Sequence, residues 1–439
     1  MKIVIAILIF SIIVIFHEFG HLLLAKKNGI KVVEFSIGLG PTLIGKEIGG
    51  TKYSIKLLPF GGACQMLGED FLADEDSEEA QVKEGSFNSK SVWRRMSVIL
   101  AGPFFNFILA FVFSLFLIGF AGYDPSLVTG VTAGTPADAS GLRKGDEIIS
   151  INGTRTNVGR QVDMFFMYGD LDSKPLEITY KRDGQKYSTT LVPEKIKKYL
   201  LGFTYDGTVG KAEIKSVVEG YPIQAAGLKA GDVIVGYNGI DIVSGQQLSE
   251  LILKNPLSEE PVTITYVRGA DTFNAEIVPK MESNSYSTGF SYNLYREKTG
   301  VFGVIKYSLI EVKYWIQVTF KNLGMLISGK FSANDISGVV GIVDMIGDSY
   351  EETKAAGNAL DVLLQMMYIC ILLSANLGVM NLLPIPALDG GRFLLLLVEA
   401  VIRKPLNRKV EGIVNLVGFG LLMLLMVVVF FNDIRRLFF

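Results

Sequence analysis

The chain has two histidines, and they lie four residues apart in His17-Glu18-Phe19-Gly20-His21, directly after the uncharged apolar run from Ile3 to Phe16. Residues at positions i and i+4 share one face of a helix, so the two imidazoles could bind one metal ion while the intervening glutamate holds a water. Ionisable groups at membrane depth are costly and are usually kept for function. The pattern therefore predicts a zinc site inside a membrane. The alternative is a pair of structural histidines with polar neighbours in a helix bundle.

A third ligand has to come from elsewhere, because catalytic zinc takes three protein ligands and leaves a fourth position for water. The candidate is Asp389, near the end of the segment Asn376 to Gly391, which reads NLGVMNLLPIPALDGG. Its two prolines end a helix, and the glycine pair after the aspartate lets the chain turn back at little steric cost. The alternative is that Asp389 caps the following helix.

The composition favours a membrane protein. The 439 residues are 49% hydrophobic, the formal net charge is −2, and the mean hydropathy is +0.37. Such values are unusual for soluble domains of this length, and there is no basic stripe with interleaved aromatics that would predict nucleic-acid binding. The two cysteines, Cys64 and Cys370, are far apart in sequence and exclude a disulfide framework or a Cys-x-x-Cys zinc site.

Four stretches are long and apolar enough to span a bilayer core, which takes roughly 20 residues. They are Ile3 to Ala25, Met96 to Gly122, Ala359 to Leu383 and Ile413 to Phe431. The first could instead be a secretory signal, although it is followed by His-Glu and two lysines rather than by a cleavage site.

Basic residues near the span ends predict the orientation. The connections after the first and third spans carry most of them: Lys26, Lys27, Lys31, Lys46, Lys52, Lys56, Arg94, Arg95, and then Arg403, Lys404, Arg408 and Lys409. Both connections are therefore predicted to be cytoplasmic, with both termini and the long middle region outside. Arg435 and Arg436 argue weakly for the reverse.

The middle region contains an internal repeat. Gly134 to Gly153 aligns without gaps on Gly220 to Gly239 at an offset of 86, with ten of twenty positions identical. Each copy predicts a short helix, a turn and a strand that ends in Asn-Gly, a strong hairpin signal. The copies resemble tandem, circularly permuted PDZ domains, which bind extended peptides by strand addition. The alternative is an inert spacer.

Two further regions keep alternative interpretations. Residues Ile30 to Met66 alternate and contain glycines, which predicts strands; they form either a β-loop at membrane depth beside the histidines or an ordinary cytoplasmic hairpin. Residues Gly300 to Ser328 carry lysines on a helical polar stripe, which favours a helix lying in the interface. A fifth span is the alternative there, and it would reverse the topology after it.

These observations predict a polytopic α-helical membrane protein of about four spans with a membrane-associated β-loop and two inserted, mixed α/β PDZ-like domains. The expected regions are an N-terminal membrane region (1–122), two PDZ-like domains (127–207 and 210–294), an interfacial amphipathic helix region (300–335) and a C-terminal membrane region (336–439).

The histidine motif and the segment Asn376 to Gly391 together resemble the site-2 protease family of intramembrane zinc metalloproteases. With the repeated middle domains and the length, the chain is most similar to the bacterial regulator-of-sigma-factor protease branch. The resemblance covers nearly the whole chain, including Gly61-Gly62 and Ala101 to Asn106. A departure occurs at Ala63, Cys64 and Gln65, where relatives often carry an aromatic and a basic residue, and it affects the substrate-facing chemistry of the loop.

The resemblance implies that His17, His21 and Asp389 bind one Zn²⁺ and that Glu18 is the general base. It implies substrate binding by Asn376, Asn381, Gly61 and Gly62, although the asparagines could instead hydrogen-bond between helices. The implied substrates are single-span membrane proteins, such as an anti-sigma-factor-like regulator or signal-peptide remnants after a first cut. The implied location is the bacterial cytoplasmic membrane, with the PDZ-like domains extracytoplasmic and the active site toward the cytoplasm.

Two other functions remain as alternatives. A catalytically silent, PDZ-bearing membrane adaptor would not need the full set of ligands and base. A transporter would suit a broken third span, but the repeat lies outside the spans. Peptide or protein contacts are expected at the PDZ-like domains, and the inert spacer is the alternative there.

Overall fold

The computed structural model describes residues 2–69, 84–169, 171–205, 210–293, 295–330 and 338–438. The chain divides into two compact units. The membrane unit comprises Met1–Pro125 and Leu294–Phe439, and the repeat unit comprises Ser126–Asn293.

The helices are α1 (Lys2–Lys27), α2 (Val92–Ala121), α3 (Pro136–Ala139), α4 (Gly159–Tyr168), α5 (Pro222–Ala225), α6 (Gly245–Lys254), α7 (Val301–Ile327), α8 (Val339–Ala356), α9 (Ala359–Leu382), α10 (Asp389–Ile402) and α11 (Arg408–Phe438), with a 3₁₀ turn at Phe87–Ser89. The strands are β1 (Val32–Ile48), β2 (Thr51–Met66), β3 (Val128–Val131), β4 (Glu147–Ile151), β5 (Thr154–Arg155), β6 (Leu176–Arg182), β7 (Gln185–Leu191), β8 (Glu194–Leu200), β9 (Phe203–Tyr205), β10 (Ala212–Val217), β11 (Val233–Tyr237), β12 (Ile240–Asp241), β13 (Val262–Arg268), β14 (Asp271–Ile277), β15 (Lys280–Ser287) and β16 (Phe290–Tyr292).

Four helices of the described part are long and apolar enough to cross a membrane: α1, α2, α9 and residues Lys409–Arg435 of α11. They coincide with the four stretches predicted from hydropathy. The first three pack together around a shared core that includes Ile9, Leu109 and Ile369. This packing brings α1, which carries both histidines, against α2 and α9.

Strands β1 and β2 form the β-structure predicted for Ile30 to Met66. The hairpin is strongly bent, so that residues 34–37 pair with 62–65 on one side and with 52–55 on the other. Its apolar face packs on the membrane helices, where Phe35 and Met66 share a core with Leu22 of α1. The last segment of β2 is thereby placed beside the histidine-bearing helix.

Helix α7 occupies the region predicted to be interfacial, of which residues 331–335 lie outside the described residues. The helix packs lengthwise on the bundle: the ring of Tyr307 stacks on Tyr123 just after α2 (centroids 3.6 Å apart), and Thr319 hydrogen-bonds Asn376 of α9. Its inward face is partly polar, with Glu311 only 2% exposed and accepting from the Trp315 indole at 3.1 Å. The lysines of the polar stripe, Lys306, Lys313 and Lys321, are exposed on the opposite side, and the interfacial placement of the helix stays a prediction.

The repeat unit confirms that the sequence repeat is a structural one. Elements α3 to β7 of the first copy recur as α5 to β14 of the second, each shifted by 86 residues, and β8 recurs as the slightly longer β15. Each copy also contains the same ion pair, in which the aspartate is buried. Arg182 Nε lies 2.7 Å from Asp146 Oδ1 in the first copy, and Arg268 Nε lies 2.7 Å from Asp232 Oδ1 in the second.

The expected domain boundaries at 207 and 210 differ from the structure, because the two copies exchange one strand. Strand β9 pairs with β10 of the second copy, and β16 pairs with β3 of the first. Phe203 and Phe290 accordingly pack into the cores of the second and the first copy. The second copy is therefore inserted into the first. The chain leaves the first copy through β8 and returns to it through β15, and these two strands pair with each other.

Candidate metal centre

Three side chains from two distant helices converge in the membrane unit. His17 Nε2 and His21 Nε2 lie 3.2 Å apart, and Asp389 Oδ2 lies 3.1 Å from the first and 3.4 Å from the second. Both histidines are 7% exposed. In the described part of the chain, this is the one group of three or more His, Cys, Asp or Glu side chains arranged to hold a metal ion.

The donor set fits zinc. With Zn–N and Zn–O bonds of about 2.0–2.1 Å, two ligands of a tetrahedral ion lie about 3.3 Å apart. The three separations between the donor atoms of His17, His21 and Asp389 are 3.1, 3.2 and 3.4 Å. Two imidazoles and one carboxylate also leave a fourth position for water. These residues could hold one Zn²⁺ without rearrangement.

Two glycines allow α1 and α2 to approach each other closely beside the histidines. A Cβ on Gly20 would lie 2.5 Å from the Ala101 carbonyl oxygen, and a Cβ on Gly102 would collide with the imidazoles of both histidines. Gly20 therefore admits the backbone of α2 at Ala101. Gly102 clears the space in which the two rings lie.

The turn after α9 places Asp389. Pro384 and Pro386 lie between α9 and α10, and Ala387 adopts a left-handed φ of 73° while its N–H donates to Asn415 Oδ1 of α11 at 3.2 Å. Asp389 is then the first residue of α10, whose N-cap is Leu388. The Asp389 carboxylate faces the histidines. Asp389 is therefore not the N-cap of α10, as the alternative interpretation required.

Hydrogen bonds from α2 orient both imidazoles. His21 Nδ1 donates to the Val98 carbonyl oxygen at 2.9 Å, which leaves Nε2 with its lone pair toward Asp389. His17 Nδ1 lies 3.1 Å from the amide nitrogen of Asn106, while Asn106 Oδ1 is buried without a hydrogen-bond partner among the described residues. Rotating that amide by 180° would satisfy Oδ1, which would accept from His17 Nδ1–H and leave Nε2 free to bind metal. Asn106 was quoted from the sequence only as part of a motif, and the signal that could have revealed its role is a polar side chain in an apolar span.

A cavity of about 330 Å³ opens beside the three donors. Glu18 and Asn381 line it together with both histidines and Asp389. Cys64 of β2 lines the same cavity as Glu18. Gly62 lies next to Glu18, since a Cβ there would be 3.4 Å from Glu18 Cγ. The structure thus places the glutamate, an asparagine and the β2 edge around one space.

Two of the candidate substrate-binding residues lie elsewhere. Asn376 hydrogen-bonds Thr319 of α7, as in the helix-to-helix alternative, and it does not line the cavity. Gly61 has a φ of 83° and faces Leu39, which a Cβ would approach to 3.2 Å. A half-buried ion pair that sequence reasoning did not identify also borders the cavity, with Arg392 Nη1 2.5 Å from Glu69 Oε1.

Comparisons with known proteins agree with this geometry. The model of peptidase family M50 matches residues 5–425. The chain is 32% identical over 460 residues to the zinc metalloprotease RasP of Shouchella clausii, which covers 98% of both proteins. It is 30% identical over 443 residues to the regulator of sigma-W protease RasP of Bacillus subtilis, again over 98% of each. It is 30% identical over 451 residues to the regulator of sigma E protease of Haemophilus influenzae, over 97% of each.

The extent of these matches, from the histidine helix to α11, agrees with the resemblance seen in the sequence. A metalloendopeptidase that uses Zn²⁺ accounts for the donor set and the adjacent glutamate. The chain belongs to peptidase family M50, the site-2 protease family of zinc metalloproteases.

Proposed function

We propose that the protein is an intramembrane endopeptidase that cleaves single-span membrane proteins within or near the bilayer. In this proposal His17, His21 and Asp389 bind the zinc ion, and Glu18 is the general base. The observation that carries it is the placement of three zinc-compatible donors and one glutamate around a single cavity, on helices apolar enough to cross a membrane.

The chain's own residues supply the proton transfers and the positioning. When bound, zinc supplies the Lewis acidity that activates water and polarises the scissile carbonyl. Glu18 accepts the proton of the attacking water and delivers it to the departing amine. The contacts of His21 with Val98 and of His17 with Asn106 fix the two imidazole rings.

A substrate helix hides its backbone in its own hydrogen bonds, so cleavage requires local unwinding. The last segment of β2 is suited to receive the unwound stretch: residues 62–65 pair with β1 on one side and border Glu18 on the other. Strand addition there would lay the peptide beside the donors. Asn381, which lines the same cavity, would hydrogen-bond the exposed substrate backbone, and Gly62 would keep the edge beside Glu18 free of a side chain.

The substrate class follows from the relatives. Proteins matched over their whole length are named for regulating sigma-W and sigma E. We therefore propose an anti-sigma-factor-like, membrane-anchored regulator as substrate, trimmed first by another protease, with signal-peptide remnants as the second class.

The two copies in the repeat unit are proposed to be PDZ-like domains. Their short helix, edge strands β9 and β16, and neighbouring helices α6 and α4 support this assignment. They would contact peptide or exclude substrates with bulky outer domains. The proposed location is the bacterial cytoplasmic membrane, with these domains outside and the cavity toward the cytoplasm, as the basic connections indicate.

The test is cleavage of a single-span substrate reconstituted with the protein in vesicles. Wild type should cut within the span, a zinc chelator should stop the cutting, and Glu18→Gln should cut roughly 10²–10⁴-fold more slowly while retaining zinc. Glu47→Gln, at an exposed position of β1, is the matched control and should cut normally. Equal cutting by Glu18→Gln and wild type would reject the assigned base. Cutting that occurs only in soluble loops of the substrate would reject the intramembrane assignment.

A further inference from the structure

A second cavity, of about 910 Å³, lies where α2 begins and α10 ends. We call it the basic cavity, because its lining includes Lys90, Arg95, Arg403 and Lys404 against two acidic residues, Glu399 and Glu411. None of its lining residues lines the cavity at the candidate metal centre. Its volume is in the usual range for small-molecule sites.

One buried hydrogen-bond donor of the lining residues lacks an acceptor among the described residues. Arg95 pairs with Glu399 through one terminal nitrogen, but its Nε is buried with no hydrogen-bond partner among the described residues. A buried guanidinium N–H without an acceptor is costly. Arg95 also lines the basic cavity, so a small rotation of its side chain would turn Nε toward an oxyanion bound there.

Arg403 gives an independent indication of a ligand. It ends α10 in the left-handed region, with φ 57° and ψ 28°, and its N–H bonds to the Glu399 carbonyl oxygen. Glycine is the usual residue at such a helix end, because a side chain is strained there. An arginine at this position, lining a cationic cavity, indicates that the side chain has a role that outweighs the strain.

The surroundings of the basic cavity are those of a lipid headgroup. Trp93, which also lines it, is 69% exposed in the first turn of α2, as tryptophans are at membrane interfaces. Along α10, an exposed apolar stripe leads toward the cavity and comprises Leu394, Leu397, Val398 and Val401. A soluble anion would use only the charges, whereas a phospholipid would also cover this stripe.

We propose that the basic cavity binds the phosphate headgroup of an anionic phospholipid, whose acyl chains lie along the exposed stripe of α10. The guanidinium of Arg95, together with Arg403 and Lys404, would contact the phosphate oxygens. Basic pockets at the ends of membrane helices recognise anionic lipids by this chemistry. The site goes beyond the proposed protease activity and does not depend on it.

The experiment is native mass spectrometry of the purified full-length protein, equilibrated with phosphatidylglycerol or phosphatidylcholine. Wild type should retain phosphatidylglycerol preferentially. Arg403→Gln and Lys404→Gln should each reduce this retention roughly fivefold. Arg94→Gln is the matched control: it removes an exposed cation one residue from Arg95 that does not line the cavity, and it should leave retention unchanged.

Arg403→Gly separates binding from folding, because glycine relieves the left-handed strain. Its thermal stability should equal or exceed that of wild type while its phosphatidylglycerol retention falls as in Arg403→Gln. Equal losses in Arg94→Gln and Lys404→Gln would show general surface attraction and overturn the proposal. Displacement of the lipid by excess inorganic phosphate would assign the site to a free anion and would also overturn it.

Discussion

The membrane unit and the repeat unit use opposite ways of building structure from sequence. The candidate metal centre of the membrane unit is assembled once, from His17, His21 and a residue of a distant helix, Asp389. The repeat unit makes its structural contacts twice, as the pairs of Asp146 and Asp232 with their arginines show, both at 2.7 Å. Substitutions in the first unit should therefore abolish chemistry without unfolding the chain, whereas those in the second should lower stability in graded steps.

The largest effect is expected for Asp389→Ala. Removing one of three ligands should reduce bound zinc from about one ion per chain to a small fraction, with loss of peptide cleavage. Hydrogen exchange of residues 210–277 should not change, because the repeat unit has its own core. Zinc content and cleavage are measured on the same sample. Retained zinc with lost cleavage would assign Asp389 a role other than that of a ligand.

Next in size is Asn106→Ala. Without an acceptor at Nδ1, the His17 ring loses its orientation, and zinc affinity should fall roughly 10–100-fold in a chelator competition. Asn106→Asp restores an acceptor and should recover most of the affinity. Ser374→Ala is the control, since its hydroxyl donates to the Asn106 backbone carbonyl oxygen at 2.8 Å and not to His17. A Ser374→Ala loss as large as that of Asn106→Ala would show that the effect is packing.

The same contrast explains what sequence alone could predict. His17, Glu18 and His21 lie within one helical turn, so their spacing predicts a shared site, and the glycines after Asp389 indicate a turn. Asn106 was not recognised as a contact of His17, because the two residues lie on different helices and 89 positions apart in the sequence.

The repeat was predicted from its offset, but the exchange of β9 and β16 was not. An alignment shows that two segments are equivalent, yet it cannot tell which copy each one pairs with. The shift of the offset from 86 to 87 at Phe203 and Phe290 was the only sequence sign that these strands stand apart from the rest of their copies. Similarly, a lysine stripe on α7 marks its outer face and does not reveal the packing of Glu311.

In the repeat unit, Asp232→Asn should lower the free energy of unfolding of the second copy by about 2 kcal/mol at pH 7, because hydrogen bonds to a charged group are lost. Its bonds to the Arg268 guanidinium hold the pKa of Asp232 below its usual value. The contribution is therefore complete above about pH 4, the ordinary pKa of aspartate, and disappears as the pH falls through the lower folded value. Hydrogen exchange of residues 210–277 in the full-length chain, measured at pH 7 and again at a pH below the folded pKa of Asp232, reports this loss of stability.

The matched variant is Asp146→Asn in the first copy. It should destabilise that copy by a similar amount and leave exchange in residues 210–277 nearly unchanged. Neither variant should alter zinc content. A loss of zinc in either one would contradict the independence of the two units.

The smallest effect is expected at Asn376. It belongs to a helix of the membrane unit and was a candidate for substrate binding, yet its side chain hydrogen-bonds Thr319. A hydrogen bond between membrane helices contributes about 0.6 kcal/mol, so Asn376→Ala and Thr319→Ala should lower stability equally and slightly. If Asn376 binds only Thr319, the two variants should also have the same KM and kcat. A rise in KM in Asn376→Ala alone would mean that Asn376 leaves Thr319 to contact the substrate backbone, and that α7 shifts when substrate binds.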